Sequence, residues 1–451
     1  MPSYQQLADK YINKGVRPYP FQIQGLSFIQ KTNGRCLLAD EMGLGKSIQT
    51  ILWLIFNEDV RPALLIVPAR LKDNWHNEFK KWLKDGSYTL QVIKTSNDIL
   101  DPNADFVVSS YDVVPHAQRL KPRQRIKLSN IGNQINERKF KAIIIDEAHM
   151  LANSKTKRTK AIKKIAQDIE HIICLTGTPL RNRPSNFYNI LELINPQNFN
   201  NFFSYAHRYC DATKDHFGWN FDGHSNLNEL SDKIKPFTLR RLKKNVLKDL
   251  PDKQYSYIPV KLNQIPTLSR CGNYANLVKS IGDAKIDPAI DFILRFKENN
   301  PDEKLVIFAH HYSVIDGIYD RLKKDGESIE KIDGRDGNKT YNKIVQMFQE
   351  DNHPKYLIVG IRGAQGYNLT KASNALFVEM LYVPSDLRQA EDRHHRIGQK
   401  NSVNIYYLVA QGTWDEQMLN ILNSKSEVIG EIMGKSIGDN DLREYLKDLA
   451  I

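Results

Sequence analysis

Ten short apolar runs, five in each half of the chain, constrain the fold more than any other feature of this sequence. RCLLAD, PALLIVP, DFVVSSY, KAIIID and HIICLTGTP mark the first half, and KLVIFAH, SIEKIDG, YLIVGI, NALFVEM and NIYYLVA mark the second. Most are continuously apolar and rich in β-branched residues, and amphipathic helical patterns separate them. Such runs make strands buried on both faces, which implies parallel sheets covered by helices. The expected fold class is therefore α/β, with two parallel-sheet domains.

The 451 residues exceed what one ordinary core accommodates. Expected boundaries are a first domain at 1–196, a helical protrusion and connector at 197–253, and a second domain at 254–451. The middle stretch is rich in aromatics, histidines and asparagines (NFNNFFSYAHRYC, HFGWNFDGHSNLNEL) and leads into the basic TLRRLKKNVLKDLP, where Pro251 ends the helical pattern. Hydrophobic residues at 41% and charged residues at 26% describe a globular chain.

A net charge of +12 and a pI near 9.2 favour a polyanionic partner, with nucleic acid foremost. The N-terminus lacks a signal-peptide pattern, and TILWLIF at 50–56 is too short to span a bilayer, so no membrane is expected and the protein reads as intracellular. Cys36, Cys174, Cys210 and Cys271 have no CxxC spacing, so neither zinc nor a disulfide framework is expected.

RCLLAD runs into EMGLGKSIQT, a glycine-rich turn between a strand and an amphipathic helix. Backbone N–H groups in such a loop cradle phosphates, Lys46 reaches the terminal phosphates, and Ser47 can ligate Mg²⁺. An ordinary strand-to-helix turn with a surface lysine would read similarly, and Asp40 stands where the strict motif has its first glycine. IIIDEAH then places Asp146 and Glu147 at the end of a buried strand, where a Mg·nucleotide needs one acid for the metal and another for the attacking water. LTGTP follows a third strand, and its Thr176 and Thr178 are candidates to link the acids to a second ligand. RQAEDRHHRIGQ, at 388–399, carries Arg393 and Arg396 three apart, hence on one face if helical, and phosphoryl transfer needs cations where charge builds. His394 and His395 read as packing or solvated side chains.

RPYPFQIQGLSFI, DEMGLGKS, LIVPARLKDNW, DEAH, LTGTP, LRRLKKNVLKDLP and QAEDRHHRIGQ occur in an order that resembles the Swi/Snf-type ATPases, double-stranded DNA translocases of helicase superfamily two. RYCDA with GWNFDGHSNLNEL, and FVEMLYVPSDLRQAEDR, are similar to the annealing-helicase (HARP-like) branch, here in motor-only form. The resemblance implies two RecA-like domains, ATP and Mg²⁺ as cofactors, and duplex or branched DNA as partner. By position, Gln22 would read adenine, residues Asp40, Glu41, Met42, Gly43, Leu44, Gly45, Lys46 and Ser47 would hold the nucleotide, and Gln389 would open the motif that carries the arginine fingers Arg393 and Arg396.

For coupling, the resemblance points to His149, Thr176, Gly177, Thr178 and Gly366. For the DNA backbone it points to Arg70 and Lys72, to Ser110 and Tyr111, to Asn182 and Arg183, and to Arg362 and Gln365, with Arg240 and Arg241 as further candidates. GAQGYNL departs from the family's second-domain loop, which leaves the strength of coupling open. The implied activity is a DNA-dependent ATPase that moves on duplex DNA and anneals or remodels branches in replication, repair or recombination. A strand-separating DNA or RNA helicase, or an ATP-gated scaffold for a nuclease or recombination partner, are the alternatives. A monomer is expected. The asparagine, lysine and isoleucine content suits a low-GC bacterium or its virus, hence cytoplasm and nucleoid, with a nuclear protein as the other reading.

Overall fold

The computed structural model describes residues 4–117, 126–177, 183–216, 218–350, 353–361, 368–381 and 384–419. Two compact units divide the chain near residue 246. In the first, nine strands follow one another among the described residues: β1 (Arg35–Leu38), β2 (Ala63–Val67), β3 (Leu90–Val92), β4 (Phe106–Ser110), β5 (Ala142–Asp146), β6 (His171–Leu175), β7 (Thr213–Asp215), β8 (Gly218–Asn220) and β9 (Thr238–Leu239). Seven form a parallel sheet in the order β3-β4-β2-β5-β6-β1-β9, and β7 and β8 form a separate antiparallel ribbon. Every residue of β2, β4, β5 and β6 is buried, as continuous apolar runs require when helices cover both faces.

The helix Lys46–Phe56 packs Ile48, Ile51, Leu52 and Ile55 into the same core as Ala63, Leu65 and Val67. Each such side chain, removed from water, contributes about 1.5–3 kcal/mol before the entropy of ordering is subtracted. Trp75, Phe79 and Trp82, spaced one helical turn apart on Lys72–Trp82, bury together as the spacing predicts.

The second unit holds β10 (Lys253–Val260), β11 (Leu305–Ala309), β12 (Ile329–Ile332), β13 (Tyr356–Gly360), β14 (Asn374–Phe377) and β15 (Val403–Ala410), all parallel in the order β10-β15-β14-β11-β13-β12. Its strands show why the runs carry no polar alternation. Leu305, Ile307 and Ala309 join one core, with the helices Ile286–Asn299 and Tyr312–Lys324, while Val306 and Phe308 join the other.

The ten apolar runs thus become ten strands of two parallel sheets, as the α/β reading expected. The stretch after residue 197, expected to be mostly helical, supplies the helices Phe202–Tyr209 and Leu227–Ile234 but also the β7–β8 ribbon. No helix among the described residues is long and apolar enough to cross a membrane.

Candidate functional site

Three neighbouring strands build the site. β1, β6 and β5 are adjacent and parallel, so their C-terminal ends open side by side: the loop 39–45 after β1, Thr176 and Gly177 after β6, and Asp146 to His149 after β5. Thr176 N donates to Leu38 O at 3.1 Å, which fixes the middle turn against the glycine-rich loop.

Gly45 takes φ +75° immediately before the helix Lys46–Phe56, and a Cβ there would lie 2.4 Å from Gln22 Nε2. Only glycine fits both conditions. Gln22 donates to Leu44 O at 3.2 Å and accepts from Tyr19 N at 2.9 Å, so it ties the helix Pro20–Lys31 to the loop. Lys46 Nζ donates to Asp40 O at 2.7 Å, holding the ammonium within the loop's own curve. Ser47 follows it, partly exposed, at the first turn of the helix. Met42 packs so closely under Gly177 that a Cβ there would come within 2.3 Å of Met42 Cγ, so the second turn and the loop are in direct contact.

Asp146 and Glu147 are nearly buried. Trp75 Nε1 donates to Asp146 Oδ2 at 2.8 Å, Glu147 N donates to Asp146 Oδ1 at 2.9 Å, and Tyr111 donates its hydroxyl to Asp146 O at 2.6 Å. Burial and the charge of Glu147 push the Asp146 carboxyl up to about 6, against the Trp75 hydrogen bond and the charge of Lys46. Glu147 adopts φ +50°, a left-handed conformation that a non-glycine residue holds only when its surroundings impose it. His149 Nδ1 stands 3.2 Å from both Glu147 Oε2 and Thr176 Oγ1, and so connects the ends of β5 and β6.

Asp40 departs from the glycine of the strict motif for a reason that lies 201 positions away. Arg241 N and Nε both donate to Asp40 Oδ1 at 3.0 Å, and the guanidinium also reaches Asp40 Oδ2, Phe21 O and Gln49 Oε1. Glu41 accepts from Lys243 N at 2.7 Å and donates its own N–H to Arg241 O at 2.9 Å. The basic segment following β9 is therefore stitched to the start of the glycine-rich loop.

Several nucleic-acid candidates face inward instead. Arg241 is turned into this network. Ser110 and Tyr111 are 1% and 0% exposed, so a ligand at the surface meets their neighbours rather than these side chains. Arg70, Lys72, Arg183 and Arg240 are partly exposed, with Lys72 Nζ donating to Ile93 O at 2.8 Å and Arg183 paired with Asp222. Thr178, Asn182, Arg362, Gln365 and Gly366 lie outside the described residues.

In the second unit the helix Pro384–Glu391 carries Gln389 and ends before Arg393. Arg393 and Arg396 therefore lie on successive turns, not on one helical face; Arg393 is buried and Arg396 partly so. Leu369 N donates to Arg393 O at 2.9 Å. Glu391 and Asp392 both accept from Lys253 Nζ at 2.9 Å, and Tyr407 and Tyr255 donate their hydroxyls to Glu391. His395 Nε2 lies 2.6 Å from Pro251 O.

His394 is fully buried, with its ring edge-on to Phe308 and Nδ1 3.0 Å from Ala372 O. Burial, with Lys253 and Arg393 nearby, pushes the imidazole down to about 4. Its contribution to stability is thus full above the ordinary histidine range and is lost as pH falls toward 4. Between pH 7 and 5 the wild type is expected to lose about 2 kcal/mol through this group, and His394→Gln to lose that much less, as read by urea unfolding at the two pH values.

Neither Trp75 nor Lys253 was legible as a site residue. Trp75 has the spacing of a packing residue, and its hydrogen bond to Asp146 adds no local signal. The tyrosines of KQYSYIPV alternate as in a half-buried strand, which was the available hint that Lys253 opens one.

A profile of the SNF2-related domain matches residues 21–268, and one of the helicase conserved C-terminal domain matches residues 284–398. The human DNA annealing helicase and endonuclease ZRANB3 is 33% identical over 443 residues, 92% of this chain and 40% of that protein. The Xenopus laevis SWI/SNF-related matrix-associated actin-dependent regulator of chromatin subfamily A-like protein 1 is 33% identical over 435 residues, 91% of this chain and 44% of that one. The chain thus spans less than half the length of either relative. Among solved structures, the Sulfolobus solfataricus SWI2/SNF2 ATPase core in complex with dsDNA is 24% identical, with 96% of this chain and 98% of that chain covered at a TM-score of 0.45.

Proposed function

The chain belongs to the SNF2-related family, and on that premise we propose that it is a DNA-stimulated ATP hydrolase that moves along duplex DNA and reanneals or remodels branched DNA. The observation that carries this reading is the row of strand ends β1, β6 and β5, which gathers Lys46, Thr176 and the Asp146–Glu147 pair along one edge. The name of the human relative, a DNA annealing helicase and endonuclease, supports the annealing task.

Backbone N–H groups from Gly43 to Ser47, at the start of the helix Lys46–Phe56, bind the phosphates, and Lys46 carries the opposing charge. Mg²⁺ takes hard oxygen donors and few of them from protein, and the Ser47 hydroxyl and Asp146 carboxylate fit that requirement. When bound, the ion neutralises charge on the transferring phosphoryl group. Glu147 orients the attacking water, and its constrained backbone fixes the direction in which its carboxylate points. Arg393 and Arg396 offer the cations that phosphoryl transfer needs. Gln22 reads the adenine, Gln389 opens the motif that carries Arg393 and Arg396, and His149, Thr176 and Gly177, with Thr178 and Gly366, pass the nucleotide state to the DNA contacts.

Those contacts fall to Arg70, Lys72, Arg183 and Arg240, together with Asn182, Arg362 and Gln365. They meet phosphates, so binding is nearly blind to sequence, and its logarithm falls with log salt by about 0.9 per phosphate contacted. A monomer acting with a nuclease or recombination partner completes the reading. The place of action is the DNA itself, in a bacterial nucleoid on the evidence of composition or in a nucleus on that of the relatives.

Steady-state ATP hydrolysis tests it, with no nucleic acid and with single-stranded, duplex and forked DNA, for wild type and Lys46→Ala. Duplex or forked DNA raises turnover, and Lys46→Ala abolishes it. Stimulation by single strands or RNA alone would point to strand separation, and stimulation by none of them to an ATP-gated scaffold.

A further inference from the structure

The segment from Leu239 to Lys253 is held at both of its ends by motif residues of the two units. At its start, Ala39 N donates to Leu239 O at 2.7 Å, Arg241 grips Asp40, and Lys243 N donates to Glu41 Oε2 at 2.7 Å, all on the first residues of the glycine-rich loop. At its end, Pro251 O meets His395, Val403 N donates to Asp252 O at 3.2 Å, and Lys253 holds Glu391 and Asp392, the two residues before Arg393. Neither attachment is a loose surface pair. Asp40 is fully buried, Glu391 and Asp392 are 4% and 6% exposed, and the Lys253 side chain is 14% exposed. Against the desolvation of burial, Asp392 and Glu391 hold the Lys253 ammonium well above the ordinary lysine range, so it stays charged.

Glu391 and Asp392 are the sockets for Lys253, and Tyr255 and Tyr407 close around Glu391. Between the two attachments run only residues 244–250, seven in number, which reach at most about 25 Å even fully extended. A short chain pinned at both ends transmits displacement, whereas a slack one does not.

We infer that residues 239–253 form a two-ended tie between the glycine-rich loop and the arginine segment, with Arg241 and Lys253 as the positioning residues that anchor it. The inference rests on the motor reading above. Its content is that the coupling of ATP turnover to movement runs through the chain itself, by way of the anchors. Slack introduced between them separates hydrolysis from translocation without touching a residue of the nucleotide site.

The test inserts Gly-Gly-Ser after Leu247, between the anchors, and as a control after Asp325 in an exposed turn of the second unit. ATP hydrolysis with and without duplex DNA, KM for ATP, and displacement of a third strand from a duplex per ATP consumed are measured. The connector insertion keeps KM and unstimulated turnover near wild type and lowers displacement per ATP about tenfold; the control changes none of them. Unaltered displacement per ATP in the connector variant overturns the tie while leaving the motor reading intact.

A wild type that hydrolyses ATP with no response to duplex DNA overturns both. Should the insertion prevent folding, the pair Lys253→Arg and Lys253→Met decides. Arginine keeps a cation for Glu391 and Asp392 and restores displacement per ATP, whereas methionine does not. Equal behaviour of the two counts against the anchor.

Discussion

Glu147→Gln is expected to leave a folded protein that binds ATP and turns it over about 10²–10⁴-fold more slowly. The amide keeps the size of the side chain and removes the charge that orients and deprotonates water. Asp146, which takes the hydrogen bonds of Trp75 and of the Glu147 backbone, is left in place. Removing a carboxylate from a buried pair also relieves its repulsion on Asp146, so stability at neutral pH should hold or rise. Single-turnover hydrolysis alongside fluorescent-nucleotide binding separates the two steps. Turnover within a few-fold of wild type would remove Glu147 from the chemistry and leave its left-handed backbone without a functional account.

Arg241→Ala has the largest expected effect on folding. The guanidinium serves Asp40, Gln49 and the backbone of Phe21 at once, and the Asp40 carboxylate is wholly buried. Deleting one partner of such a pair strands the other charge, at a cost of about 3–5 kcal/mol. Urea unfolding followed through the tryptophans of the first unit would report it. Asp40→Asn should cost less, because the amide keeps the shape and one acceptor, and the guanidinium left behind is partly exposed and still donates to Gln49 Oε1 and Phe21 O. A loss for Arg241→Ala below about 1 kcal/mol, the scale of an exposed pair, would mean that Asp40 is solvated in the working protein.

Much of the fold was legible because its signals are local. An apolar run with no polar alternation reports burial on both faces, whichever partners cover it, and all ten runs became parallel strands. β10 escaped notice for a physical reason: it lies at a sheet edge, six of its eight residues are partly exposed and two are exposed, and Pro259 interrupts its donors. The β7–β8 ribbon, three residues to a side, is too short to show a period. The helical reading of Arg393 and Arg396 failed for a different reason. The periodicity of RQAEDRHHRIGQ suits a helix, yet Glu391 and Asp392 are drawn to Lys253 and the helix stops there.

The sequence by itself determined the two α/β units, ten of the parallel strands in their order along the chain, and the residue types delivered to the ends of β1, β5 and β6. Those follow from periodicity and from covalent spacing. Only the tertiary structure decided that Asp40 belongs to Arg241, that Trp75 and Tyr111 hold Asp146, that Ser110 lies beneath the surface, and that Lys253 seats the acids of the arginine segment. Each of these pairings joins residues 35 to 201 positions apart. A side chain that finds its partner through the packing of two sheets carries no mark of that partner in its neighbours along the chain.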